Sequence, residues 1–557
     1  MNKIKSIILA AGMMLLLQNC GKDFLDTPIQ GEVVIENFYR TEADAFMALV
    51  AAYAALGKAD SGTRDPQQTQ QGTIHGWAHF TFGDICSDDA EKGGGSRNDF
   101  VDAADLSEFV ASPDLRHIWN VWRDCYLGIA LANLVIENVP RIEFAASRSH
   151  LKDQYIAEAK FIRAYLYFFL VRIYGGVPIV TKQIGQDEYN KSRATIAETY
   201  AFIQQDLKEA IPHLPLKSQY PAQYMGRITK GAAQGFLAKT LVFESSYAEN
   251  YPGDKRYQGT TKKWAEALEV AETVINSGQY NLSTPVELIF RSQYENGPES
   301  VFEVQFKESG DGWHNDNTGH TNYTMQRCRG ESWPTIGEGW GFNQPTQDLV
   351  NAFEHGGDWG GDSLDWLDPR FEATIVYEGK KAFWDTTVVL GVGVNQDRSL
   401  TGYLNAKPVL PPAEIPLNWS DAGSNQRILR YADIILLAAE AAYYTGNEGK
   451  AREYLEMVRA RARASSSHPN ALPYINAGGI ALRDAIWHER RVELAMEGHR
   501  FHDLVRQGRA AQVINTYYAN SPVYQLTNPF VPGIHELFPI PLMEINVNTS
   551  LEQNPGY

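Results

Sequence analysis

The chain has 557 residues, enough for several domain-sized cores or for one long helical array. With 44% hydrophobic and 11% aromatic residues it can fill a packed interior, which excludes a disordered chain. Its formal charge of −17 repels phosphate backbones and excludes nucleic acid as a natural partner.

The first residues read as a targeting segment. Lys3 and Lys5 precede an apolar run, Ile7 to Leu17, that is too short to span a bilayer. Cys20 follows closely, which points to a lipoprotein: residues 1–19 leave as a signal peptide and Cys20 becomes the acylated N-terminus. That removal takes two lysines and no acidic residue, leaving a charge of −19. No later stretch holds 18 uninterrupted apolar residues, so a lipid is the expected membrane anchor. Cys86, Cys125 and Cys328 remain, widely spaced and without a CxxC pair. They are expected as buried free thiols, with a Cys86–Cys125 bridge as the alternative.

Thr41 to Leu56 predicts a helix with Thr41 as its cap and Gly57 as its stop. Residues 58–115 lose helical periodicity and are rich in Gly, Asp and Ser, which predicts a long exposed excursion. Helix returns from Leu115 to Val139, with Ile118, Trp122, Ile129 and Leu134 on its apolar side and Pro140 after it. The strongest pattern follows at Ala157–Val180, AEAKFIRAYLYFFLVRIYGGVPIV. Ile162, Leu166, Phe169 and Ile173 form one apolar face, and Tyr165, Tyr167 and Phe168 widen it until little is left for water. Gly175-Gly176 and Pro178 stop it. This is the central helix.

Ile196–Ile211 then pairs with it, and Ile228–Ser246 with Lys262–Ser277. A third pair, Arg430–Tyr444 and Asn447–Ala462, has a small-residue first helix and a short turn at Gly446, like a tetratricopeptide unit. The fold class is therefore mainly α: a tetratricopeptide-like superhelix of about four helix pairs, broken by a loop-rich insertion over about 281–427. That insertion carries short strand-like runs, SVFEVQF and FEATIVY, and Trp313, Trp333, Trp340, Trp359, Trp366, Trp384 and Trp419. Recognition residues tend to sit on loops held by such a scaffold.

The central helix, the start KDFLDTPIQG after Cys20, the segment ERRVELAMEGHRFHDLVRQG at 489–508 and the ending LFPIPLMEINVNTSLEQNPGY at 537–557 together resemble the SusD/RagB family. These are outer-membrane nutrient-binding lipoproteins of starch-utilisation-type import systems. The resemblance implies one domain over 20–557, with helical scaffold at about 41–57, 115–280 and 428–510 and the ligand surface in the variable insertion. It reads Lys22-Asp23 as the start of a surface-export tag. It also implies a partner, a SusC-like TonB-dependent β-barrel transporter over which the protein closes as a lid.

The chain offers no enzymatic motif. A glycosidase needs two carboxylates about 5–10 Å apart across the scissile bond; the 67 acidic residues stand in no recognisable motif. There is no GxSxG elbow, Walker loop or HExxH. No catalysis, cofactor or metal is predicted. His75 and His79 read as hydrogen-bonded or exposed, and His499 and His502 as buried polar pairs. Asp84, Asp88, Asp89 and Glu91 have the chemistry for calcium but miss the EF-hand spacing, and turn capping explains them as well.

Sugar binding suits the residues better. A pyranose has a C–H face and a rim of hydroxyls, which aromatic rings with neighbouring amides and guanidiniums complement. Trp313, Asn315 and Tyr323 lie in one such stretch, and Arg329, Trp333 and Trp340 in the next. The 84–98 loop, where the resemblance implies ligand contacts, adds Asp88, Asp89, Arg97 and Asn98, with Gly93-Gly94-Gly95 where an aromatic is common. The expected function is capture of oligosaccharides at the cell surface, with peptide cargo or a glycoside hydrolase as the alternatives.

Overall fold

Helix α1 (Glu42–Gly57) begins with reciprocal bonds at its predicted cap: Thr41 Oγ1 accepts from the Asp44 amide and the Asp44 carboxylate from the Thr41 amide, at 3.2 and 2.7 Å. The computed structural model describes residues 38–57, 74–185, 188–308, 319–329, 339–354, 368–390, 399–416, 422–466, 468, 470–521 and 528–557. Two π-helical turns, Ile74–Ala78 and Thr81–Ile85, then lead into strand β1 (Ala90–Gly93). Ile74, Trp77, Phe82 and Ile85 are at most 3% exposed. The expected exposed excursion is therefore core from residue 74 to β1. The reading fails because π turns keep neither the 3.6- nor the 2-residue period.

Helices α2 (Val101–Ser107), α3 (Arg116–Asn138) and α4 (His150–Tyr174) follow. α4 is the central helix, and from Ala157 to Tyr174 only Lys160 escapes full burial. Each of Phe161, Phe168 and Phe169 contributes about 1.5–3 kcal/mol by leaving water. A buried helix end must find partners for its last carbonyls. Here the C-terminal signature supplies them: the Phe538 amide bonds Ile173 O at 2.8 Å, and Asn554 Nδ2 bonds Tyr174 O at 3.0 Å.

The array continues with α5 (Ile196–Ala210), α6 (Lys230–Asn250) and α7 (Trp264–Ile275). The insertion then carries β2 (Ser300–Val304), α8 (Asn322–Gln326), β3 (Phe342–Pro345), α9 (Gln347–Ala352), α10 (Pro369–Thr374), β4 (Ile375–Val376), β5 (Leu404–Asn405) and β6 (Gln426–Arg430). SVFEVQF forms a strand as expected. FEATIVY does not: Asp368 caps and Pro369 starts a helical turn, and only Ile375–Val376 is extended. The chain returns as α11 (Tyr431–Tyr444) and α12 (Glu448–Ala464), followed by α13 (Gly479–Glu493), α14 (Arg500–Arg506), α15 (Ala510–Asn520) and α16 (Leu542–Val547).

Each of α1, α3, α4, α5, α6, α7, α11 and α12 packs on the next, so the tetratricopeptide-like array closes across the insertion as though it were tandem. Gly235 permits the close contact of α6 with α11, since a Cβ there would lie 2.5 Å from Ile434 Cδ1. The insertion leaves and rejoins through one antiparallel pair, β2 with β6, from Ser300 opposite Arg430 to Val304 opposite Gln426. Cys86, Cys125 and Cys328 are free and buried, so the alternative Cys86–Cys125 bridge is not formed.

A buried charge network underlies that neck. Glu489, Arg490 and Arg491 are consecutive on α13 and so point in three directions. Glu489 meets Arg370 of the insertion and Arg459 of α12, at 2.5 and 2.8 Å. Arg490 meets Asp433 of α11 at 2.8 Å and Asp503 of α14 at 3.2 Å. Arg491 meets Asp89 and Asp348, at 2.7 and 2.6 Å. One turn on, Glu493 accepts from Arg430 and Arg461, and Arg430 also clasps Glu299 and Glu497. Removing one member of such a set strands its partners out of water, at a cost of about 3–5 kcal/mol. Glu493→Ala, which removes a carboxylate shared by Arg370, Arg430 and Arg461, is expected to lose stability on that scale in urea unfolding. A loss under about 1 kcal/mol would mean that the network is solvated.

Candidate functional site

Two stretches singled out in the sequence meet in space. β1 pairs antiparallel with β3, Ala90 opposite Pro345 and Gly93 opposite Phe342, and the Gly94 amide extends the ladder to Gly341 O at 2.8 Å. This brings the Gly93–Asn98 loop against Arg329, with Trp340 just ahead of β3. Lys92 organises the loop from within, donating to the carbonyls of Gly93, Ser96 and Asp99 at 2.7, 3.0 and 2.6 Å. Burial lowers the Lys92 pKa to about 8.

The glycine run has a steric cause. A Cβ on Gly95 would lie 1.1 Å from Arg329 Nη1, so the guanidinium lies directly over the bare backbone. Arg329 is 49% exposed and reaches Asp99 Oδ2 at 3.4 Å, while the same carboxylate oxygen accepts from the Gly95 amide at 2.8 Å. Trp340 is half-buried, its ring edge-on to Phe342 at 6.3 Å and its amide bonded to Thr324 O. Arg97 is exposed but tied to Asp105 and Glu108 of the α2 region, at 2.6 and 2.8 Å. Asn98 is exposed beside it. Behind the loop, Ala104, Glu108 and Leu400 help line a hollow of about 190 Å³.

Other expected contacts are structural. Tyr323 is fully buried, with the Arg327 guanidinium stacked 3.9 Å from its ring centre and bonded to its hydroxyl at 2.7 Å. It is a packing partner rather than a platform. Asp88 and Asp89 are also buried: Arg500 grips Asp88 through two bonds of 2.8 Å, and Arg491 binds both acids. Pairing of this kind is strong and leaves the acids no role as free ligand contacts. Nearby, Glu91 accepts from the Tyr517 hydroxyl and Asp84 from the Gly498 amide. Among the described residues no cluster of three or more His, Cys, Asp and Glu is placed to hold a metal ion. His75 is buried and bonds the Tyr165 hydroxyl, and the half-buried His79 bonds the Glu497 carbonyl. Cys20, Trp313, Asn315 and Trp333 lie outside the described residues. Sequence reasoning missed Lys92 and Asp99, whose only signal was their place at either end of the glycine loop.

Asp84 holds the loop's root to the charge network. A Cβ on Gly83 would fall 2.2 Å from Gly498 O, so the two chains touch there. Gly498, at φ 74, lies in the turn that separates α13 from α14. Burial raises the Asp84 pKa to about 8, against the pull of the Gly498 amide and the Asn343 side chain. Asp88 goes the other way: burial pushes it up, but Arg491 and Arg500 outweigh that and hold it well below the ordinary range.

Comparison with known proteins adds the family. The SusD family model matches residues 298–557, and a second model, described as "Starch-binding associating with outer membrane", matches 69–242. The chain is thus similar to SusD-type proteins over two separate stretches, 69–242 and 298–557. SusD-like protein P38 of Formosa agariphila is 25% identical to it over 100% of both chains. Starch-binding protein SusD of Bacteroides thetaiotaomicron is 24% identical over 72% of each. A solved "Laminarin binding SusD-like protein" is 28% identical, covers 93% of this chain and 100% of its own, and superposes with a TM-score of 0.72. No described helix of the chain is long and apolar enough to cross a membrane.

The Asp84 carboxyl gives a pH test. Its folded pKa lies above the unfolded value of 3.8, so its contribution is full below that value and lost as pH rises towards about 8. Asp84→Asn keeps an acceptor for the Gly498 amide and removes the titration. Between pH 5 and 8 the wild-type urea midpoint is expected to fall relative to that of the variant; parallel profiles would refute a neutral buried Asp84.

Proposed function

We propose that this protein is a cell-surface lipoprotein that binds oligosaccharides and delivers them to a SusC-like TonB-dependent transporter, with no chemistry of its own. The observation that carries the reading is the contact of the Gly93–Asn98 loop with Arg329, beside the β3 segment that Trp340 precedes. Residues from two distant parts of the chain combine there a part-exposed indole, a guanidinium and amide groups, which suit a sugar ring and its hydroxyls. The printed names of the laminarin-binding and starch-binding relatives support the ligand class. The acidic residues of the 84–91 loop are engaged by arginines, a tyrosine and backbone amides, which favours a binding role over a catalytic pair. Anchoring would come from acylated Cys20, and import energy from the transporter.

A ring contact of about 1 kcal/mol corresponds to roughly fivefold in affinity. Trp340→Ala and Arg329→Ala are each expected to weaken binding of laminari- or malto-oligosaccharides by at least that factor in titration calorimetry. Unchanged affinity in both would move the site elsewhere, and binding of peptides alone would reassign the cargo. Cys20→Ala is expected to shift the protein from the outer-membrane fraction to the soluble one; retention in the membrane would exclude the lipid anchor.

A further inference from the structure

At the other end of the β1–β3 ribbon lies a second concavity. A groove of about 460 Å³ runs between α9 and α15 over a floor of Arg491 and Arg500. Its volume is in the range of small-ligand sites. Gln512, Thr516 and Asn520 recur every four residues and share one face of α15, turned towards Gln347 and Asn351 on α9. Tyr517 walls it off from the hollow behind the glycine loop by donating to Glu91 at 2.5 Å.

The charges in this groove are unevenly matched. Arg491 and Arg500 are saturated by Asp88, Asp89 and Asp348. Arg509 is not: among the described residues it forms no ion pair, and its contacts are a 3.4 Å bond to Gln507 and the Trp487 ring, 5.4 Å from the guanidinium carbon. Partial burial beside Arg500 disfavours its charge, a condition that an incoming anion relieves. Most of its donor fork therefore remains available, and a guanidinium fork matches a carboxylate or sulfate better than it matches water. The amide of Gln512 lies outside any hydrogen bond among the described residues, while Asn351 has accepted one bond from Gln347 and keeps its amide hydrogens. Amides that both donate and accept suit ring hydroxyls.

We propose that this groove is a second saccharide site, selective for a sugar residue bearing an oxyanion, which pairs with Arg509 while its hydroxyls meet Asn351 and Gln512. The saccharide half of the assignment rests on the glycan reading above; the oxyanion half rests on Arg509. The test is calorimetry on the mature protein with trigalacturonate, galactose 6-sulfate, neutral galactotriose and inorganic sulfate. At least one acidic sugar is expected to bind tenfold or more tighter than the neutral one; which acidic sugar binds identifies carboxylate or sulfate. Arg509→Gln should abolish the preference, and Gln512→Trp should block the groove. Equal affinity for acidic and neutral sugars, or a preference that survives Arg509→Gln, overturns the proposal. If acidic sugars fail while neutral oligosaccharides still bind in a Trp340-dependent way, the groove assignment falls and the glycan reading stands. If inorganic sulfate binds as tightly as the acidic sugars, the site is a bare anion site and the saccharide half falls.

Discussion

The paired charges along residues 489–506 set the relation between the two halves of the molecule. The main apolar core runs through the helical array, whereas among the described residues the clusters confined to the insertion are small, such as that of Val376, Leu390, Leu404 and Val409. Apolar burial is non-directional and cannot by itself fix how a loop-rich segment sits on a scaffold. Buried ions can. Each costs several kcal/mol to remove from water, and only a partner in the right geometry offsets that. Arg370 and Lys407 of the insertion and Arg430 at its neck all converge on glutamates of one short segment. Such a network contributes register more than net stability.

The same segment sets the position of the candidate ligand face. Arg500 and Arg491 hold Asp88 and Asp89, and the Gly498 amide holds Asp84. These bonds pin the root of β1, and β1 in turn pairs with β3. The glycine loop at its far end is then held against Arg329 by steric fit, with Lys92 inside it. A rigid frame thus extends from the central array to an exposed face. Recognition by a pre-ordered surface costs less entropy than recognition by a loose one.

Regular elements were legible before any coordinates, because local periodicity reports a helix wherever one face meets a core. α3, α5 and the α11–α12 pair lie within two residues of their predicted bounds, and the central helix stops at Gly175 as predicted but begins about two turns earlier, at His150. The stretch from Ile74 to Gly93 was not legible. Its π turns have no repeat to detect, and its aspartates look solvated until Arg491 and Arg500 are seen against them. Tyr323 failed as a ring platform for a related reason: a Tyr and an Arg four residues apart read equally as an exposed pair or a buried stack.

Composition, periodicity and end signatures were sufficient by themselves for a mainly helical, tetratricopeptide-like chain with a Trp-rich insertion, since those properties are carried by neighbours along the chain. Only the tertiary structure decided which acids are structural, which guanidinium lies over the glycine loop, and that among the described residues Arg509 forms no ion pair. Those facts depend on contacts between residues up to more than 400 positions apart, such as Asp89 with Arg491, and no local pattern encodes a partner at that distance.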